Sequence, residues 1–179
     1  MNYEEKTMKS EKIYEGKIVN LRIDTVELPD KKYSKREIVE HPGSVGIIPI
    51  TDDSHIILVK QFRKPVEQNL LEIPAGKIEI NEEPKETAFR ELCEETGFVA
   101  NKLEYLFEFY TSPGFSNEKM YLFVAKELVK READPDDDEY IEVLKVKIED
   151  SINMILRGEI VDSKTIIGIL YAQQYLIGK

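Results

Sequence analysis

Apolar and polar residues alternate from Lys12 onward, and KIYEGKIVNLRIDTVEL sets Ile18, Leu21, Ile23, Val26 and Leu28 as its apolar beats. A period of two predicts strands, here two short ones broken near Gly16 or Asn20. Residues 1–10 are polar and are expected to fray. PDKKYSK (29–35) predicts a polar turn, and REIVEH (36–41) a third short strand. Three short strands bury little alone, so they are expected to pack on the main domain or on another subunit. SVGIIPIT (44–51) and HIILVKQFR (55–63), either side of Asp52-Asp53, predict a hairpin of buried strands. A loop follows over 64–69. LLEIPAGKIE (70–79) is extended, with a sharp bend at Pro74 and Gly76.

A helix is then predicted with Pro84 in its first turn and Gly97 at its end. Phe89, Leu92 and Cys93 form its inward side, and Glu86 and Arg90 stand in the favourable i, i+4 order. Strands are expected over 102–112 and 118–128 around the loop PGFSN (113–117). An acidic loop (130–140) leads to a strand over 140–148. Helices are expected over 151–159 and 162–178, with Ser151 and Asp162 as N-caps. Strands with one mid-chain helix and two terminal helices predict an α/β sandwich.

Composition narrows the class. The 179 residues suffice for one full core plus an N-terminal appendage, with the boundary expected at Pro42-Gly43: residues 1–42 and 43–179. The apolar fraction of 41% is ordinary for a globular chain. Neither a run of about 18 apolar residues nor the apolar core of a secretory signal is present, so no membrane association is expected. The single cysteine, Cys93, excludes an internal disulfide, reads as a small core residue and fits a reducing cytoplasm. A formal charge of −10 argues against a nucleic-acid partner.

The chemistry concentrates in GKIEINEEPKETAFRELCEETGF (76–98). At roughly 100° per residue, Glu91, Glu94 and Glu95 share one narrow arc of the helix. Three carboxylates on one face repel each other, so a positive charge is expected to offset them. Oxygen-only ligands suit a hard divalent cation such as Mg²⁺.

Gly76, Glu82, Arg90-Glu91-Leu92, Glu94-Glu95 and Gly97-Phe98 stand at the spacings of the Nudix box, and this stretch resembles it at every specified position. The resemblance implies a Nudix-type α/β/α sandwich with a mixed β-sheet and a small N-terminal antiparallel β-sheet. It implies hydrolysis of nucleoside diphosphates linked to another group. Two or three Mg²⁺ ions are implied, with Mn²⁺ as a substitute. Glu91 and Glu95 are the leading ligands, joined by the main-chain carbonyl of Ala75. Glu94 stands among both the metal and the catalytic candidates. Arg90 is expected to orient the glutamates. Glu82 is expected either on the box-loop backbone or in an outer metal shell.

Other residues resemble the ADP-ribose pyrophosphatases within that family. Pro113 lies sixteen residues after Gly97, in Ser112-Pro113-Gly114 with Glu118 beyond, as in that group's substrate loop. Gln61-Phe62-Arg63 places an arginine where the group binds the diphosphate, and a guanidinium fork suits phosphate oxygens. Arg36-Glu37 matches a substrate-binding strand shared across a homodimer. Asp137-Asp138-Glu139 matches a late catalytic loop. Glu139 is implied as a metal ligand, and Asp137 as general base where glutamate is the familiar residue, so Glu139 is the alternative base. Gly16 is followed by Lys17-Ile18-Val19 rather than aromatic residues, which leaves Tyr14 and Tyr33 as stand-ins against adenine. His41 and His55 are given no catalytic role.

The implied reaction is hydrolysis of ADP-ribose to AMP and ribose 5-phosphate by a cytoplasmic homodimer joined through its N-terminal strands. The alternatives are another nucleotide sugar such as GDP-mannose, a nucleoside triphosphate, or a sensing module that binds without cleaving.

Overall fold

The early alternation becomes three antiparallel strands, β1 (Lys6–Glu15), β2 (Asn20–Glu27) and β3 (Tyr33–Glu40), in a computed structural model that describes residues 3–131 and 140–177. Residues 6–10 are paired rather than frayed: Lys6 opposes Glu27 and Ser10 opposes Asp24. Ser10 Oγ also donates to the buried Asp24 carboxylate at 2.7 Å. Ladder bonds hold this polar segment, and apolar periodicity carries no trace of them. β3 likewise starts three residues early, because it stays in register with β2 up to the pair Glu27–Tyr33.

The other edge of β3 takes up a distant segment. Val39 N donates to Phe115 O at 2.8 Å, and Asn117 N donates to Val39 O at 3.2 Å. The first compact unit is accordingly Met1–Gly43 with Phe109–Met120.

The second unit is Ser44–Glu108 with Tyr121–Lys179. Its elements are β4 (Ser44–Pro49), β5 (His55–Arg63), β6 (Gln68–Glu72), β7 (Ala75–Lys77), α1 (Pro84–Thr96), β8 (Phe98–Tyr110), β9 (Lys119–Lys130), β10 (Ile141–Lys147), α2 (Ile148–Leu156) and α3 (Ser163–Ile177). The outer ends of β8 and β9 belong to the first unit. The strands form two sheets, ordered β10-β5-β6 and β7-β4-β9-β8. β4 and β5 therefore do not make the expected hairpin. They share one bridge, Ile50–Ile56, and then diverge into different sheets. Each strand finds its own partners, and apolar content does not say which.

β4 explains the layering. Val45 and Ile47 pack with Ala88 and Leu92 of α1 and with Phe123 and Ala125 of β9. Ile48 points the other way, onto α3, where a Cβ on Gly168 would stand 3.2 Å from its Cγ1. A strand covered on both faces needs apolar residues at consecutive positions, hence GIIPI.

The helix ends are locally determined. Glu83 and Glu86 form a capping box, with Pro84 in the first turn. Gly97 closes α1 in the left-handed region at φ 68°, its N–H on Cys93 O at 2.9 Å. The buried stripe of α1 is Thr87, Ala88, Leu92, Glu95 and Thr96. Phe89, one step around from Ala88, is 38% exposed, and Cys93 is only half-buried, so neither is the expected core residue. α2 starts directly from β10, which places Ser151 inside the helix with its hydroxyl donating to Ile148 O at 2.7 Å, not at the N-cap. Asp162 does cap α3, accepting from Thr165 N at 3.0 Å. Among the described residues, no helix is long and apolar enough to cross a membrane.

Candidate active site

Arg90 is the hub of the box. Its Nε and Nη2 donate to the two oxygens of Glu82, both at 3.0 Å. Its Nη1 donates to Glu91 Oε1 at 2.7 Å and to Glu94 Oε2 at 2.9 Å. Arg90 thus supplies the positive charge expected against the crowded carboxylates. It does not pair with Glu86, whose carboxylate accepts from Glu83 N at 3.1 Å in the capping box. Glu82 also accepts from Glu79 N at 3.3 Å, so it does bind the box-loop backbone.

These bonds have an electrostatic signature. The Arg90 fork holds the Glu82 carboxyl well below the ordinary range, down to about 2. Arg90 itself is raised, first by Glu82 and then by Glu91 and Glu94. A carboxyl whose pKa is depressed in the folded state stabilises that state above its unfolded pKa. The contribution is lost as pH falls from about 4.5 towards 2. Urea midpoints measured across that window should fall more steeply for the native chain than for Glu82→Gln, which has no carboxyl to titrate there. Parallel curves would show that the Arg90–Glu82 pair contributes nothing to stability.

Glu95 turns inward and is 5% exposed. Its Oε2 accepts from Ala75 N at 3.0 Å, which locks the start of β7 to α1. Gly76 follows, and here the requirement is space, since a Cβ would overlap Oε1 and Cδ of Glu91 and stand 2.5 Å from its Oε2. The bend at Pro74–Gly76 exists so that backbone can lie against the carboxylates of α1. Glu95 therefore lies against the Ala75 N–H and Glu91 against Gly76, while the expected ligand at Ala75 is its carbonyl, which these contacts do not engage. The oxygen-only donor chemistry of these three suits a hard divalent cation. Among the described residues, no three acidic, histidine or cysteine side chains converge as a ready-made metal nest. Arg90 holds one oxygen of Glu91 and one of Glu94. Asp137 and Glu139 lie outside the described residues.

Arg63 lies in the same unit but is already engaged. Its Nε and Nη2 donate to Glu72 Oε1 and Oε2, each at 2.8 Å. Glu72 is 1% exposed and also accepts from Lys164 Nζ. Burial pushes the Glu72 carboxyl up, but Arg63 and Lys164 together outweigh it and the net shift is downward. Sequence reasoning missed Glu72 and Lys164. The available signal was one acid inside an apolar run, LLEIP.

In the first unit, the Arg36 strand and the Pro113 loop are fastened together, since β3 bonds residues 115–117 through Val39. His41 N donates to Asn117 Oδ1 at 2.8 Å, and Thr111 Oγ1 donates to Glu118 Oε2 at 2.8 Å. Ser112 O accepts from Phe115 N and Ser116 N, so Ser112-Pro113-Gly114 forms a tight turn. Arg36 and Glu37 alternate on β3 and so face opposite sides of the sheet. Arg36 donates to both oxygens of Glu5, at 2.8 and 2.6 Å, and to Ser34 Oγ at 2.9 Å. That pair is exposed and solvent-screened. Tyr14 and Tyr33 are both exposed.

A box of carboxylates ordered by one arginine beneath a glycine bend is the hallmark expected of the Nudix class. The NUDIX domain model matches residues 40–166, and the model for the nucleoside diphosphate sugar hydrolase N-terminal domain matches residues 5–39. The chain belongs to the Nudix family and is a hydrolase; enzymes of this family generally use divalent metal ions. It is 49% identical to the ADP-ribose pyrophosphatase of Bacillus subtilis (strain 168), over 95% of this chain and 93% of that protein. It is 47% identical to the methanol dehydrogenase activator of Bacillus methanolicus, over 96% and 94%. A solved structure described as an ADP compounds hydrolase superposes with a TM-score of 0.86, covering 97% of this chain and 95% of that one at 22% identity, which supports the α/β/α fold.

Proposed function

We propose that this chain hydrolyses the diphosphate of ADP-ribose to AMP and ribose 5-phosphate with Mg²⁺ as its metal. The observation that carries this reading is the near-full-length likeness to an ADP-ribose pyrophosphatase, which includes the N-terminal strands as well as the box. Glu91, Glu95, the Ala75 carbonyl and Glu94 would hold two or three ions, with Glu139 completing the set. Bound there, divalent ions neutralise diphosphate oxygens and acidify a water.

The protein groups divide the remaining work. Arg90 keeps Glu91 and Glu94 oriented before substrate arrives. A carboxylate among residues 137–139, Asp137 or Glu139, takes the water's proton as oxygen bonds to phosphorus and the bridging P–O bond breaks. Arg63 and Arg36 are assigned to phosphate charge, and Ser112, Pro113, Gly114 and Glu118 to substrate binding, with Tyr14 or Tyr33 against adenine; Glu37, on the face of β3 opposite Arg36, is assigned a separate substrate contact. Arg36 exchanges Glu5 for phosphate, a swap between two anions at an exposed site.

The test is a panel of ADP-ribose, GDP-mannose and nucleoside triphosphates with Mg²⁺, scored for phosphatase-sensitive products. ADP-ribose is expected to lead. A higher kcat/KM on GDP-mannose would move the substrate class, and no turnover of any member would leave a binding module.

The N-terminal strands are proposed as a subdomain, 1–42, that joins two copies in a cytoplasmic homodimer. Every residue of β1 is exposed, including Met8, Ile13 and Tyr14, so this edge strand offers apolar surface to a second copy. Light scattering is expected to give twice the 20.8 kDa chain mass, and a fully active monomer would overturn the dimer.

A second reading is favoured by the near-equal identity to the methanol dehydrogenase activator. Under it, adding the chain and Mg²⁺ to a methanol dehydrogenase assay raises the rate, and an unchanged rate removes it.

A further inference from the structure

β6 and the start of α3 share a cluster of charge whose centre, Glu72 and Lys164, is buried. Glu72 accepts three donors, two from Arg63 and one from Lys164. Lys164, 9% exposed, stands 3.1 Å from Asp162 Oδ2. Asp162 accepts from Thr165 Oγ1 at 2.6 Å, and Thr165 Oγ1 accepts from Ile73 N at 2.8 Å. The path closes on itself, from β6 through the start of α3 and back to the residue after Glu72.

Burying ions this way rarely stabilises a fold more than well-packed apolar side chains would. Orientation is the property such a cluster does supply. Glu72 grips the Nε and Nη2 edge of Arg63, and Nη1 has no acceptor among the described residues. The Arg63 side chain is 38% exposed, so those remaining N–H groups can reach a ligand. Arg90 differs, with all three of its nitrogens donating to protein. Arg63 also lies within electrostatic reach of Glu95, a proposed metal ligand.

We infer that Glu72 and Lys164 are positioning residues for substrate affinity. They hold the Arg63 fork in place so that its unused donors meet the diphosphate without further ordering. Lys164 acts through Glu72, because an unbalanced Glu72 would be free to swing with Arg63. A fork ordered in advance loses less side-chain freedom when the anion binds. The inference rests on the reading of Arg63 as a phosphate-binding residue.

The test compares Glu72→Gln, Lys164→Met, Lys164→Arg and Arg63→Ala with the native chain. KM and kcat for ADP-ribose are measured with Mg²⁺, ADP-ribose affinity by calorimetry in EDTA, and Tm by scanning calorimetry. Glu72→Gln and Lys164→Met are expected to raise KM and the metal-free Kd about tenfold, the weight of one charge-assisted hydrogen bond. Their kcat should stay within about threefold, and Lys164→Arg should restore KM. If Glu72→Gln does not fold, the two Lys164 variants decide. A lowered Tm with unchanged KM and Kd in Lys164→Met would overturn the inference, while raised values in Arg63→Ala would leave the phosphate role of Arg63 standing. Unchanged KM and Kd in Arg63→Ala would overturn that role and the inference with it.

Discussion

Replacing Glu95 with Gln should lower kcat for Mg²⁺-dependent ADP-ribose hydrolysis on the order of 10³-fold while leaving the fold in place. The two effects separate because Glu95 has two jobs. Its Oε2 accepts from Ala75 N at 3.0 Å, and an amide oxygen can accept the same bond. The contact between β7 and α1 therefore survives. The negative charge does not, and a hard cation loses one of its best ligands. An amide at a site only 5% exposed is also cheaper to desolvate than a carboxylate, so Tm should hold within a few degrees. Steady-state kinetics across a Mg²⁺ titration, with Tm measured alongside, check this. Near-native kcat at ordinary Mg²⁺ would remove Glu95 from the metal set.

Gly76→Ala should be nearly as damaging through one added methyl group. No special backbone angle is at stake. The new Cβ would occupy the volume of the Glu91 carboxylate, the far end of a flexible side chain that can swing away. The fold then loses little, but Glu91 leaves both its bond to Arg90 and its place against the backbone at residue 76. We expect kcat to fall about a hundredfold, equivalent to about 2.7 kcal/mol, with a Tm loss of a few degrees. Adding Glu91→Gln to Gly76→Ala should cost little more, because both changes disable the same ligand. Fully additive losses would show that Gly76 acts through something other than Glu91.

What the sequence made legible was local. The box helix, its proline start and its glycine stop rest on residues within a turn of each other, and the structure places them as expected. Asp162 at the start of α3 is legible for the same reason. Some misses are local, such as Ser151 inside α2 and the half-exposed Phe89 and Cys93 on α1, but the larger ones are pairings between distant residues. The chain switches sheets after Ile50–Ile56, although both strands read as one apolar hairpin. Polar residues 6–10 join a ladder that no hydrophobic pattern marks. Arg63 looks like a bare cation in QFR, yet half of its fork belongs to Glu72 nine residues on and, through it, to Lys164. Arg36 and Glu37 are neighbours in text and opposites in the sheet. Side-chain direction follows strand register, and register depends on partners that a linear reading cannot choose.

The stitching of residues 115–117 to Val39 has a consequence for how the protein can be made and recombined. His41 and Asn117, bonded at 2.8 Å, are 76 residues apart in the chain. During synthesis the N-terminal ladder can form early, but its last edge must wait until the ribosome has released residue 117. The same separation limits chimeras. Transplanting residues 1–43 from a relative to alter substrate preference would pair a foreign strand with a native loop, so a working graft should carry residues 109–120 with it.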